Sequence, residues 1–181
     1  MDSAPSIPAT TSVVVMGVSG SGKTSVAQEL TRRLGWAYVE GDELHPAANV
    51  AKMAAGTPLD DEDRWPWLRE VAAVIGEHEA AGTGLVITCS ALKRSYRDLL
   101  REGHPSVWFA HVHVDHDVLA RRLAARQGHF MPPSLLDSQL ATLQPLADDE
   151  PGAAISGAGA PEAVVEHLLA ALSEERGTPT T

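Results

Sequence analysis

Residues 17–24 read Gly-Val-Ser-Gly-Ser-Gly-Lys-Thr and follow directly on the apolar run Val13, Val14, Val15 and Met16. The pattern G-x-x-x-x-G-K-[ST] in that position commits a chain to a buried strand, a glycine-rich turn and a helix wrapped around a phosphate. Glycine tolerates positive φ and leaves room for a ligand, so the turn's N–H groups converge on phosphate oxygens while the next helix offers its positive N-terminus. Val26, Leu30 and Leu34 recur at helical spacing after the loop, as that arrangement requires. Gly17, Ser19, Gly20, Ser21, Gly22 and Ser25 are therefore expected around the phosphates of a nucleoside triphosphate. Lys23 is expected to neutralise the β- and γ-phosphates, and Thr24 to ligate Mg²⁺.

The rest of the chain extends this unit into an α/β fold. A helix over 22–34 ends at Gly35, and Trp36, Ala37, Tyr38 and Val39 form a short second strand before Glu40, Gly41 and Asp42. A helix starts near Pro46, and the acidic run 60–63 opens a longer one with apolar positions Leu68, Val71, Ala72 and Ile75. Pro66 places itself in that helix's first turn. Residues 85–89 and 107–114 read as strands, each followed by a helix, over 91–101 and 115–126. A weaker strand at 153–155 precedes a Pro-started helix whose apolar face is Val164, Val165, Leu168, Leu169 and Leu172. This alternation predicts a three-layer αβα phosphate-loop NTPase or kinase fold, with a five-stranded parallel sheet between helices. One domain over 12–172 is expected, with loose tails at 1–11 and 173–181.

Composition narrows the partners. A net charge of −10 argues against a general nucleic-acid binder, and no apolar run is long enough to span a bilayer. Cys89 stands alone, which rules out an intramolecular disulfide, and the start lacks the features of a signal peptide. A soluble, cytoplasmic protein with small-molecule ligands is expected.

Ligands of open α/β sheets collect beyond the C-terminal strand ends. After the second strand stands Asp42, placed to accept an acceptor hydroxyl's proton or to hold a water on Mg²⁺; capping the next helix is the alternative. After the third come Ser90, Lys93, Arg94 and Arg97, readable as an anion site or as ordinary surface cations. Seven of the fourteen Lys and Arg residues lie between Lys93 and Arg126 in an acidic chain, which favours the first reading. After the fourth strand, Arg121, Arg122 and Arg126 lead into a Gly/Pro segment that reads as a lid over the triphosphate or as a plain loop. His111, His113 and His116 lack the surrounding ligands of a zinc site. Cys89 is expected to pack as a small hydrophobe, and Trp65 and Trp67 to anchor a helix start.

Several further stretches are specific. They are Gly41-Asp42-Glu43-Leu44-His45-Pro46 with Asn49 and Lys52-Met53, then Gly56-Thr57-Pro58-Leu59, Asp63-Arg64 and Pro66-Trp67-Leu68. Cys89-Ser90-Ala91-Leu92-Lys93-Arg94, Tyr96-Arg97-Asp98-Leu99-Leu100-Arg101, and Arg122 and Arg126 with Gly128-His129-Phe130 complete the set. Over roughly residues 12–172 the chain resembles the gluconate kinases, small phosphate-loop enzymes related to shikimate and nucleoside monophosphate kinases. The resemblance implies ATP- and Mg²⁺-dependent phosphorylation of D-gluconate at its 6-hydroxyl. It further implies a cap over 43–67, a lid over 126–134 and a homodimer. Lys23, Asp42, Arg122 and Arg126 become the expected catalytic groups, with Asp42 also beside Thr24 at the metal. His45, Asn49, Lys52, Arg64, Ser90, Lys93, Arg94, Arg97 and His129 become the expected acceptor contacts. Gluconate has one carboxylate and five hydroxyls, which calls for a cation, with Arg64 or the Lys93/Arg94/Arg97 group as candidates, and for mixed hydrogen-bonding groups.

The chain departs from the wider pattern at two places. Its third strand ends in Cys89-Ser90 where a Walker B carboxylate is common, and residues 156–161, expected beside the base, carry no distinctive polar side chains. A kinase of the same fold with another small acceptor, or a nucleotide-binding regulator without transfer chemistry, are the rival readings.

Overall fold

The computed structural model describes residues 7–125 and 133–177. In chain order the elements are β1 (Ser12–Met16), α1 (Lys23–Leu34), β2 (Ala37–Glu40), a 3₁₀ turn (Gly41–Leu44), α2 (Ala47–Ala54) and α3 (Asp61–Ala81). Then come β3 (Leu85–Thr88), α4 (Arg94–Arg101), β4 (Val107–His113), α5 (His116–Ala125), α6 (Pro133–Thr142), β5 (Gly152–Ser156) and α7 (Pro161–Arg176). The strands form one parallel sheet in the order β2-β3-β1-β4-β5, with β1 central.

Alternation along β1 divides the core between the two faces of the sheet. Val13 and Val15 pack with Val26 and Leu30 of α1 and Val164 and Leu168 of α7. Val14 and Met16 turn the other way, onto Trp67, Leu68 and Ile75 of α3 and Leu100 of α4. Residues buried on both faces explain why β1 and β3 read as continuous apolar runs. A third cluster joins Val18 of the phosphate loop to Leu92, Leu119 of α5 and Leu136 of α6, so α6 is fastened directly against the loop.

Several boundaries differ from the sequence reading, each for a tertiary reason. Trp36 precedes β2, its indole lying across Gly84, where an added Cβ would sit 2.3 Å from the ring. Pro66 is the sixth residue of α3 and lies beyond the first turn, which is closed by a reciprocal Asp60–Asp63 capping box. Helix α4 starts at Arg94 because Ala91 takes a left-handed φ of 44° and breaks the helical path. Residues 173–176 continue α7: Trp108 Nε1 donates to Glu175 (2.7 Å), and Arg176 donates to the Pro105 and Val107 carbonyls. Thr11, expected in the N-terminal tail, is buried and bonded to the Pro8 carbonyl. Helix α6 had no counterpart in the sequence reading.

Candidate active site

The phosphate loop leaves β1 through Gly17, at φ 147°, where a Cβ would approach the Val112 carbonyl to 2.6 Å. Gly20 and Gly22 also take positive φ, and α1 then starts at Lys23 with no side chain capping its N-terminus. That open end is the electrostatic half of an anion site. The Lys23 ammonium folds back and donates to the Gly17 and Val18 carbonyls at 3.0 and 3.1 Å. From α5, Arg122 donates to the Gly20 and Ser21 carbonyls and, at 2.9 Å, to Gly157. It thereby joins the loop to the β5–α7 connection across a groove that Ser25 and Gly159 also line.

On the other side of the loop, the end of β2 is clamped. Gly41 N–H donates to Thr88 Oγ1 (3.0 Å), and its carbonyl accepts from Trp67 Nε1 (2.8 Å). A Cβ at Gly41 would lie 1.8 Å from the Thr88 carbonyl, so only glycine permits this approach. The clamp fixes the carboxylates on either side of it. Glu40 accepts from Thr24 Oγ1 (3.1 Å) and from the Tyr38 phenol, whose pKa is raised by burial and by Glu40. Asp42 faces the cavity with an open side chain, 3.9 Å from His45 Nε2.

His45 stacks on Trp67 with ring centroids 4.0 Å apart. Asn49 Nδ2 is a donor, so the His45 Nδ1 it meets at 3.2 Å is the acceptor, which leaves the proton on Nε2 toward Asp42. Burial pulls the imidazole from 6.5 down to about 4, with Arg64 adding to the effect and Asp42 opposing it, so His45 is neutral at pH 7.

The expected acceptor contacts divide into those the fold brings to the cavity and those it uses elsewhere. Lys23, Asp42, His45, Arg64 and Ser90 line one cavity. Asn49 is buried and spends its amide hydrogens on His45 and the Asp63 carbonyl, so it orients His45 and has none left for a hydroxyl. Lys52 grips both Asp63 oxygens, at 2.9 and 2.8 Å, and ties α2 to α3. Lys93 bonds to Asp61 (2.9 Å). Arg94 forms a fork with Asp149, both contacts at 2.8 Å, and reaches Asp98. Arg97 is fully buried against Glu150 and donates to the Ala91, Leu92 and Pro145 carbonyls. Arg94 and Arg97, expected as anion contacts, both hold the segment before β5 in this structure. Arg126, His129 and the lid segment up to residue 132 lie outside the described residues.

Arg64 differs from these cations. Its Nη1 donates to the Tyr96 phenol at 2.9 Å, and its guanidinium carbon lies 5.4 Å from the Tyr96 ring centre. Tyr96 in turn donates to Asp61. Arg64 therefore enters the cavity held by a neutral group, and among the described residues no carboxylate is bonded to it.

Sequence reasoning did not single out Glu40, Tyr96 or Gln139 as site residues. Glu40 was legible in principle, being a carboxylate at a strand end two positions before Asp42. Tyr96 stood in a stretch that carries the resemblance but with no role attached, and Gln139 carried no signal of its own, since both roles depend on the packing of α3 and α6.

A phosphate loop that opens on one side to a groove beside the β5–α7 connection and on the other to a polar cavity lined by a carboxylate and a guanidinium defines a small-molecule kinase. Residues 13–146 match the family model described as an AAA domain. The chain belongs to the gluconokinase family. It is 54% identical over 157 residues to the gluconokinase of Gluconobacter oxydans (strain 621H), covering 87% of this chain and 88% of that protein. It is 48% identical to the thermoresistant gluconokinase of Escherichia coli (strain K12), covering 77% of each. The crystal structure of a gluconokinase from Sinorhizobium meliloti 1021 superposes with a TM-score of 0.81 at 46% identity, over 93% of this chain and 94% of that one.

Proposed function

We propose that this chain transfers the terminal phosphoryl group of ATP to the 6-hydroxyl of D-gluconate, giving 6-phosphogluconate and ADP. The observation that carries the reading is the single cavity in which Lys23 of the phosphate loop, Asp42 and Arg64 meet. In the transfer, the bond from the γ-phosphorus to the β–γ bridging oxygen breaks and one to the sugar oxygen forms. The hydroxyl proton passes to the Asp42 carboxylate, and the bond electrons stay with ADP. Lys23, released from the Gly17 and Val18 carbonyls, and the loop N–H groups meet the charge on the transferring group.

Arg64 is the carboxylate partner, because Lys93, Arg94 and Arg97 are each already bonded to an acidic side chain. Neutral His45 presents Nε2–H between Asp42 and the cavity, suited to a hydroxyl oxygen. Thr24 and Glu40, bonded to each other, share a groove with Asp42, and this set of hard oxygens suits Mg²⁺ held partly through water. Bound there, the ion supplies positive charge for the phosphates. Arg122 and the backbone at Gly157 face the nucleoside side, so base recognition rests on the main chain. The same reading includes a cytoplasmic homodimer; among the described residues no helix is long and apolar enough to cross a membrane.

The test is ADP formation by the purified chain with Mg²⁺ATP and D-gluconate, shikimate, other sugar acids or nucleoside monophosphates, with 6-phosphogluconate detected separately. Gluconate-dependent product is expected, falling at least about a hundredfold in Asp42→Asn. Turnover with another acceptor in place of gluconate refutes the substrate; a folded Asp42→Asn protein of normal rate refutes the role of Asp42.

A further inference from the structure

Gln139 stands on α6, on the acceptor side of the phosphate loop. Its Oε1 accepts the Ser19 backbone N–H at 2.8 Å, and its Nε2 lies 3.3 Å from Ser19 Oγ. A backbone N–H only donates, so the carboxamide orientation is fixed with its oxygen on the loop. A donor of the kind that binds phosphate is thus already occupied by a neutral side chain.

The position of Ser19 along the loop indicates which phosphate competes for that donor. Gly20, Ser21, Gly22 and Ser25 line the groove beside Arg122 and Gly157, on the nucleoside side. Ser19 instead lines the cavity shared by Asp42, Arg64 and Gln139. A phosphoryl group passing from nucleotide to acceptor must sit at that end. The Ser19 N–H therefore faces the terminal phosphoryl, while the phosphates of a diphosphate lie nearer the groove.

We propose that Gln139 is a positioning residue for the transferred phosphoryl group. Its carboxamide holds the Ser19 N–H toward the cavity and yields it to the terminal phosphoryl oxygen. A charged oxygen is the stronger acceptor, so the exchange runs toward bound triphosphate. Leu136, buried one turn earlier between Val18 and Leu119, keeps α6 seated while the side chain exchanges partners. Triphosphate binding thus pays for displacing one hydrogen bond that diphosphate binding leaves intact.

This inference rests on the phosphoryl-transfer reading, and the test separates the two. Affinities of the Mg²⁺ complexes of a non-hydrolysable β,γ-imido ATP analogue and of ADP are measured by calorimetry on the full chain, with Gln139→Ala and Gln139→Glu. Alanine frees the Ser19 N–H, so the triphosphate analogue is expected to bind about two- to tenfold tighter, the equivalent of one net hydrogen bond. Glutamate keeps an acceptor on the N–H and adds repulsion, so the analogue is expected to bind more weakly. ADP affinity is expected to stay within about twofold in both, and kcat with gluconate to fall at least about tenfold in the alanine variant. Triphosphate affinity unchanged in both variants, ADP affinity moving in step with it, or an undiminished kcat overturns the proposal. Turnover of a different acceptor by the wild-type chain would refute the gluconate reading while leaving the nucleotide comparison decisive for Gln139.

Discussion

At the scale of single residues, the cavity is defined by which polar groups are already satisfied. Arg64 and Arg97 have the same side chain and opposite circumstances. Arg97 has a buried carboxylate and three carbonyls around it, whereas Arg64 has a phenol and the cavity. Replacing Arg64 by Met keeps the length of the side chain and removes its charge. The expected result is a KM for gluconate raised on the order of tenfold to a hundredfold, the cost of about 1.5–3 kcal/mol for a charged hydrogen bond. The KM for ATP is expected to stay constant, and steady-state kinetics with each substrate varied in turn separates the two. Arg97 was visible in the sequence as a cation after a predicted strand, and Arg64 as part of a stretch that resembles the gluconate kinases. Their difference was not, because the counter-charge of Arg97 is Glu150, 53 residues further along.

At the scale of elements, what was legible depended on how local the cause was. β1, the loop and α1 are specified within a short stretch, by an unbroken apolar run, glycines at positive φ and the αL cap at Gly35. The cavity's outer wall has no such local code. Helix α6 begins with a proline and is seated by Leu135 and Leu136, whose partners lie on other elements. The link between Ala91 and α4 is held open by the Arg97 guanidinium, and Gln144 N–H bonds the Leu92 carbonyl at 2.7 Å. Burial pushes the Glu150 carboxyl up, but Arg97 and the Ala147 N–H outweigh it and leave the group ionised and paired. Arg97→Met therefore strands a buried carboxylate. We expect a loss of about 3–5 kcal/mol of stability by urea denaturation, with part of it recovered when Glu150→Gln is added.

At the scale of the whole molecule, the buried imidazoles set the response to acid. Burial pulls His111, like His45, from 6.5 down to about 4, with His113, Arg97 and Lys23 adding to the effect. Between those values the unfolded chain binds protons that the native state refuses. Stability is therefore complete above about pH 6.5 and falls as pH drops toward 4, at up to about 1.4 kcal/mol per pH unit for each histidine. The paired carboxylates Asp61, Asp63 and Asp149 have lowered values, so their contribution is lost only below the ordinary carboxylate range near 4. Urea midpoints from pH 7.5 to 5 therefore read the histidines first, and His45→Gln is expected to flatten the slope by about half.

The residue that follows β3 has a practical consequence for labelling the protein. Cys89 is buried, and burial pushes its thiol up to about 12, so almost no thiolate forms at neutral pH. It is also the only cysteine in the chain. The protein thus comes with a silent background for thiol labelling. Cysteines placed at exposed Val50 on α2 and His167 on α7 would be the sole reactive positions, and a dye pair there would report the separation of the acceptor side from the body of the sheet as substrates arrive.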